Sequence, residues 1–295
     1  MTGHRIKGVV AAVATPIGAD RAPDVPRFVK LAQWLLDNGC DGLNVLGTTG
    51  EATSFSRGQR EDVMRAAARD LDRSRMMVGT GAASLDDAIH LTKLAGELGF
   101  AGALVLPPFY YKGVSDDGVV AFIEALVAAT AEAPTPIYLY HYPALSGVPY
   151  TPEIVGRLIE RFPARMAGVK DSSGDLPYER LLAGRHQGFD VFPANEATLL
   201  EGRGGVFAGC VSATANLNAD LCQRAWRSGD EDALARAVKI RKLFDGKPLV
   251  AGVKAGLAAI HGDAAIAAPM PPLTRWSDAD AQALAQGMAA ARNDA

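Results

Sequence analysis

The residue best suited to covalent chemistry in this chain is Lys170. It follows the apolar run Met166 to Val169 directly and precedes a turn at Ser172, Ser173 and Gly174. A short apolar run bounded by a turn reads as a buried strand, so the lysine stands at that strand's C-terminal end. A lysine there ordinarily emerges into solvent. If the strand is central in a parallel sheet, the amine instead enters a poorly hydrated site, where the neutral form is favoured and attacks ketones. That is imine chemistry, which also needs a place to hold the carbonyl compound and a group to move protons.

Three other stretches offer such groups. In Gly47-Thr48-Thr49-Gly50-Glu51, two hydroxyls lie between glycines near the start of a helical pattern. Backbone N–H and OH donors there can hold an anion such as a carboxylate; a glycine turn with a threonine cap reads equally well. Tyrosines cluster in Pro107-Pro108-Phe109-Tyr110-Tyr111 and in Tyr138-Leu139-Tyr140-His141-Tyr142-Pro143. A phenol facing a lysine can relay protons, whereas an aromatic residue at a strand end can also simply pack. His141 reads as a general base, a structural histidine or a hydrogen-bonding group for substrate.

The elements that would position these residues alternate along the chain. Candidate strands are Ile6 to Ala14, Gly42 to Leu46, Met76 to Gly79, Gly102 to Leu106, Ile137 to Tyr140, Ala167 to Lys170, Asp190 to Phe192 and Val206 to Val211. Between them, apolar residues at helical spacing mark Asp24 to Asn38, Ser56 to Asp72, Ser84 to Leu98, Asp116 to Thr130, Pro152 to Arg161, Tyr178 to Ala183 and Glu196 to Arg203. Eight strands alternating with helices fit a parallel sheet buried on both faces. A closed (β/α)₈ barrel of the TIM type over 1–217 is the simplest arrangement, with chemistry at the C-terminal strand ends. The remainder, 218–295, reads as helices only and is expected to form a C-terminal helical extension. No dinucleotide fingerprint favours a doubly wound sheet, since Gly79-Thr80-Gly81 lacks the third glycine.

Composition narrows the partners. The chain has 295 residues, 48% of them hydrophobic and 21% charged, with a formal net charge of -3. Without a run of either sign, neither nucleic acid nor an anionic membrane is expected. The first apolar run is closed by Thr15 and Pro16, so neither a signal peptide nor a membrane span is expected, and the cytoplasm is the expected compartment. Cys40, Cys210 and Cys222 are scattered and read as buried free thiols. No metal motif joins them to the five histidines, so no metal or other cofactor is expected.

Taken together, GTTGE at Gly47 to Glu51, the PPFYY segment, YxxPALSG at Tyr140 to Gly147 and GVKDSSGD at Gly168 to Asp175 resemble the dihydrodipicolinate synthase / N-acetylneuraminate lyase family. The order and spacing match over nearly the whole chain. The resemblance implies a class I aldolase, a homotetramer, and metal-independent Schiff-base chemistry on pyruvate or another 2-oxo acid, with an aldehyde as second partner. It implies Lys170 as the Schiff-base lysine, Tyr140 as the proton relay, and Thr48 and Thr49 as the carboxylate-holding pair linked to that tyrosine. It further implies Tyr110, with Tyr111 as alternative, as a catalytic tyrosine reaching into a neighbouring subunit, and Val211 as a pocket-lining eighth-strand residue.

Departures from the family pattern bear on substrate. The biosynthetic synthases carry an arginine five residues after the relay tyrosine, where this chain has Leu145. PALSG resembles the sialic acid lyases, yet Glu196 matches only one of their polar pair, Ala197 replaces the other, and Ala213 replaces a serine. KDSSGD is more similar to 2-keto-3-deoxy sugar acid and 4-hydroxy-2-oxoglutarate aldolases. Ser172, His141, Asn195 and Glu196 are then the candidate partners for substrate hydroxyls. The expectation is a 2-oxo acid lyase or aldolase acting on a 2-keto-3-deoxy sugar acid. The alternatives are 4-hydroxy-tetrahydrodipicolinate synthase, a deoxy sugar acid dehydratase, and a catalytically silent 2-oxo acid binding protein.

Overall fold

The computed structural model describes residues 5–293. Eight strands carry the sheet: β1 (Gly8–Ala12), β2 (Gly42–Val45), β3 (Met76–Gly79), β4 (Gly102–Val105), β5 (Ile137–His141), β6 (Met166–Asp171), β7 (Asp190–Pro193) and β8 (Gly209–Ser212). Each pairs in parallel with its neighbour in the order β7-β6-β5-β4-β3-β2-β1-β8. At the seam, the Ala208 N–H donates to the Val191 carbonyl at 3.0 Å, which brings the two end strands together into a (β/α)₈ barrel.

Every strand residue is buried, because side chains alternate between two apolar environments. Val10, Ala12, Met77, Leu104, Tyr138, Tyr140, Phe192 and Val211 fill the barrel interior. Val9, Ala11, Leu43, Val45, Val78, Val105, Leu139, Val169 and Val191 pack outward against the helices. This period of two decides which strand-end residue reaches the barrel mouth.

The helical layer is α1 (Val25–Asp37), α2 (Arg57–Asp70), α3 (Leu85–Leu98), α4 (Asp116–Ala129), a single turn α5 (Pro143–Ser146), α6 (Pro152–Arg161), α7 (Leu176–Arg185), α8 (Leu199–Arg203) and α9 (Ala215–Ser228). Side-chain oxygens of Asp24, Ser56, Ser84, Ser115, Thr151 and Asp175 accept first-turn N–H groups of α1, α2, α3, α4, α6 and α7, which fixes where those helices start. The Val206 to Val211 strand begins later than its apolar sequence suggests. A Cβ at Gly209 would meet the Gly8 carbonyl oxygen at 1.9 Å, so the close approach of β8 to β1 requires a glycine there, and Val206, ahead of it, stays exposed. The turn α5 was not visible in the sequence pattern, which shows only Pro143 and a glycine stop at Gly147.

Three further helices, α10 (Glu231–Lys242), α11 (Leu249–His261) and α12 (Asp278–Asn293), form the C-terminal extension. Helix α9 runs across the expected division at 217/218, and its backbone leaves helical geometry at Asn218 (φ -136, ψ 20). The extension packs back on the barrel: α10 against α9, and α11 against α9 and α12. Among the described residues, no helix is long and apolar enough to cross a membrane.

Candidate active site

Strands β5 and β6 place Tyr140 and Lys170 directly opposite one another in register. Both belong to the inward-facing set. Lys170 is only 4% exposed, and its Nζ lies 4.3 Å from the centroid of the Tyr140 ring. The Tyr140 hydroxyl is 2.9 Å from Thr48 Oγ1. An amine, a phenol and an alcohol from β6, β5 and the β2 loop thus form one connected group at the barrel mouth.

The loop after β2 is a tight construction. Leu46 and Glu51 take positive φ values of 55° and 54°, a conformation that side chains other than glycine rarely adopt. A Cβ on Gly79 would lie 2.0 Å from the Leu46 carbonyl oxygen, so a glycine at the end of β3 is what lets this loop sit so low. The Glu51 N–H donates to the Thr48 carbonyl at 3.0 Å, closing the turn that carries both threonines. Strain of this kind persists only where the surroundings hold it. Here Glu51 is buried against Lys254 of α11 in an ion pair and accepts from the Met270 N–H at 2.6 Å. Burial pushes the Lys254 ammonium down in pKa while Glu51 opposes the shift, and Lys254 also donates to the Ala268 carbonyl at 2.9 Å.

Thr48, Thr49, Tyr140, Lys170, Ser172 and Val211 line one cavity of about 460 Å³. Its far wall comes from the helical extension: Arg241 of α10, then Pro248, Leu249, Val250, Pro272 and Leu273. An adjoining cavity of about 300 Å³ shares Thr48, Tyr140, Tyr142 and Leu145 and runs toward Leu104, Leu106 and Phe109. Burial raises the pKa of the Tyr142 phenol, with Tyr140 adding to the rise and Arg241 opposing it.

Five candidates lie outside this group. Tyr110 and Tyr111 are 71% and 73% exposed, stacked edge to face on each other at 5.3 Å, and line neither cavity. His141 follows Tyr140 and so points out of the barrel, where its Nδ1 accepts from the Tyr150 N–H at 3.0 Å. Its ring stacks on Tyr178 at 4.5 Å, and burial lowers its pKa against the pull of Asp171. Asn195 is exposed and caps the turn Glu196–Thr198 by accepting from the Ala197 N–H at 3.0 Å. Glu196 is fully buried and engaged by Arg241 at 3.0 Å, by the Thr214 hydroxyl and by the Asn218 amide at 3.3 Å.

Neither Arg241 nor the pairing of Glu51 with Lys254 could be read from the sequence, whereas Tyr142 stands in the tyrosine cluster at the end of the fifth strand. Arg241 and Lys254 lie on helices far along the chain from the strand ends, and nothing in their local sequence marks them as facing the barrel. Among the described residues no group of three or more His, Cys, Asp or Glu side chains could hold a metal ion. The three cysteines are buried and free, and burial pushes the Cys40 thiol up to about 12.

Comparison with known proteins agrees with this architecture. The profile of the Dihydrodipicolinate synthetase family matches residues 5–291. The 4-hydroxy-tetrahydrodipicolinate synthase of Salinibacter ruber is 36% identical over 236 residues, covering 78% of this chain and 76% of that protein. The crystal structure of dihydrodipicolinate synthase from Agrobacterium tumefaciens str. C58 superimposes with a TM-score of 0.89 at 28% identity, covering 96% of this chain and 98% of that one. YagE from E. coli K12, solved in complex with pyruvate, shares the fold with a TM-score of 0.88 at 24% identity, covering 97% and 98%. With a barrel, a buried strand-end lysine and a profile match over nearly its full length, this chain belongs to the dihydrodipicolinate synthetase family and is an enzyme of that family's class I lyases.

Proposed function

We propose that the protein makes or breaks a carbon–carbon bond next to the carbonyl of a 2-oxo acid through a Schiff base on Lys170. The observation that carries this reading is the buried Lys170 amine beside the Tyr140 ring, with the Tyr140 hydroxyl 2.9 Å from Thr48 Oγ1. The substrate carboxylate is held by the Gly47-to-Glu51 turn through Thr48 and Thr49, which sets the ketone over the amine. The free amine of Lys170 attacks C2. Tyr140 gives a proton to the departing hydroxyl of the carbinolamine, so water leaves and the iminium forms. In the cleavage direction the Tyr140 phenolate takes the C4 hydroxyl proton, the C3–C4 electron pair flows into the iminium, an aldehyde leaves, and the resulting enamine takes the proton back from Tyr140 at C3. Water then hydrolyses the imine to release the shorter 2-oxo acid. Thr48 re-orients the phenol between these proton transfers.

The substrate class we favour is a 2-keto-3-deoxy sugar acid. Leu145 supports it over the biosynthetic synthase reaction, because an apolar side chain lines the adjoining cavity where an arginine would clamp a second substrate's carboxylate. We also propose a homotetramer in which the exposed Tyr110 and Tyr111 pair is covered by a neighbouring subunit. The test is direct: cleavage of 2-keto-3-deoxy sugar acids read as pyruvate release, beside condensation of pyruvate with aspartate semialdehyde read through a coupled reductase. Pyruvate release and no condensation is expected; condensation alone would return the reading to the synthase.

A further inference from the structure

The cavity lined by Lys170 carries a second cationic side chain. Arg241 reaches it from α10, and its side chain is 29% exposed although its partner Glu196 is fully buried. Among the described residues every side-chain hydrogen bond of Arg241 runs through Nη1: to Glu196 Oε2 at 3.0 Å and to the Ser212 and Thr214 hydroxyls at 3.4 Å. The Nη2 and Nε donors make no such contact. Glu196 in turn is held by Thr214 and Asn218, so it fixes one edge of the guanidinium while the opposite edge stays available. The other ionisable group at the cavity wall from the β2 loop, Glu51, is tied to Lys254. Lys170 and Arg241 are therefore the two cationic side chains of the lining. Pro248, Leu249 and Leu273 line the same cavity, and apolar lining strengthens the attraction of a guanidinium for an anion. Tyr142 lines the same cavity within the electrostatic reach of Arg241 and adds an OH donor. At about 460 Å³ the space extends well beyond a three-carbon acid.

We propose that Arg241, assisted by Tyr142, is a second carboxylate-binding subsite, so that the preferred substrates are 2-oxo acids with a further carboxylate at the end remote from the ketone. This rests on the Schiff-base reading of Lys170 and narrows its substrate class from sugar acids in general to those with an acidic terminus. A guanidinium fork with one edge free suits a carboxylate in a way that a hydroxymethyl group cannot exploit.

The experiment compares acids that differ only in the distal group: 2-oxoglutarate against 2-oxovalerate, and 2-oxoadipate against 2-oxohexanoate. Each is incubated with the full-length protein and borohydride, and the concentration giving half-maximal reduced adduct is read by intact mass. The dicarboxylate is expected to half-saturate at a concentration lower by about tenfold or more at one chain length at least. Raised salt and the substitutions Arg241→Lys and Arg241→Met are expected to narrow that gap. Equal half-saturation in both pairs overturns the subsite. So does a gap that survives in folded Arg241→Met protein. The wild-type comparison decides the matter even if Arg241→Met, which strands Glu196, fails to fold. Pyruvate is run alongside: no reduced adduct with any of these acids overturns the Schiff-base reading itself, whereas a pyruvate adduct without a dicarboxylate preference removes the subsite alone.

Discussion

Two faces of the same pair of strands behave oppositely. On the inner face, Tyr140 and Lys170 stand across from one another and converge with Thr48 on a cavity. One residue further, His141 and Asp171 are also register partners, yet both point outward, with His141 Nε2 3.7 Å from Asp171 Oδ1. There Asp171 accepts from the Ser173 hydroxyl and from the N–H groups of Ser173 and Gly174, while Glu179 is pushed up to about 9 by burial and by Asp171. Both faces carry buried titratable groups, but the inner set opens on a space large enough for a substrate, whereas the outer set is spent on holding the KDSSGD turn and α7. Buried charge by itself therefore does not mark the reaction centre. A strand's period of two separates residues adjacent in sequence into cavity lining and scaffold.

The comparison is broken most severely at Lys170. Lys170→Ala should lower turnover by at least about 10⁴-fold with the circular dichroism unchanged. Tyr140→Phe keeps the ring against the lysine and loses the proton, so kcat should fall by about 10²–10⁴-fold in a steady-state assay. Lys254→Met leaves Glu51 buried without its partner and should lower stability by about 3–5 kcal/mol, read by denaturant unfolding. The outer face is probed by Glu179→Gln, with the smallest effect on catalysis. The Glu179 pKa is raised from an ordinary 4.5 to about 9 in the fold, so its stabilising contribution is complete below 4.5 and is lost as pH rises through that window. The variant should flatten the wild type's stability decline toward pH 9, while turnover changes little. His141 works in the other direction: its lowered pKa means that folding stability falls as pH drops below its ordinary 6.5.

Much of this arrangement was legible in the sequence. Eight apolar runs with helical spacings between them fit a parallel sheet buried on both faces, for which a closed barrel is the simplest arrangement. Lys170, Tyr140, Thr48 and Thr49 are candidates because each sits at or just after a strand's C-terminal end, and the family resemblance sets them apart from the other hydroxyls and phenols there. His141 could not be separated from Tyr140 without knowing which parity of β5 faces inward. Glu196 reads as a pocket acid in sequence, yet Thr214, Asn218 and Arg241 close around its carboxylate from three different places in the chain. Arg241 and Lys254 were invisible for the same reason: their roles come from the docking of α10 and α11, which local spacing does not encode.

The central claim is that Lys170 forms a covalent imine with a 2-oxo acid. Borohydride reduction in the presence of pyruvate, followed by proteolysis and mass mapping, tests it most directly. One reduced pyruvate per chain is expected, carried by the peptide containing Lys170 and absent from Lys170→Ala. A modified peptide elsewhere, or an adduct that persists in Lys170→Ala, would contradict it.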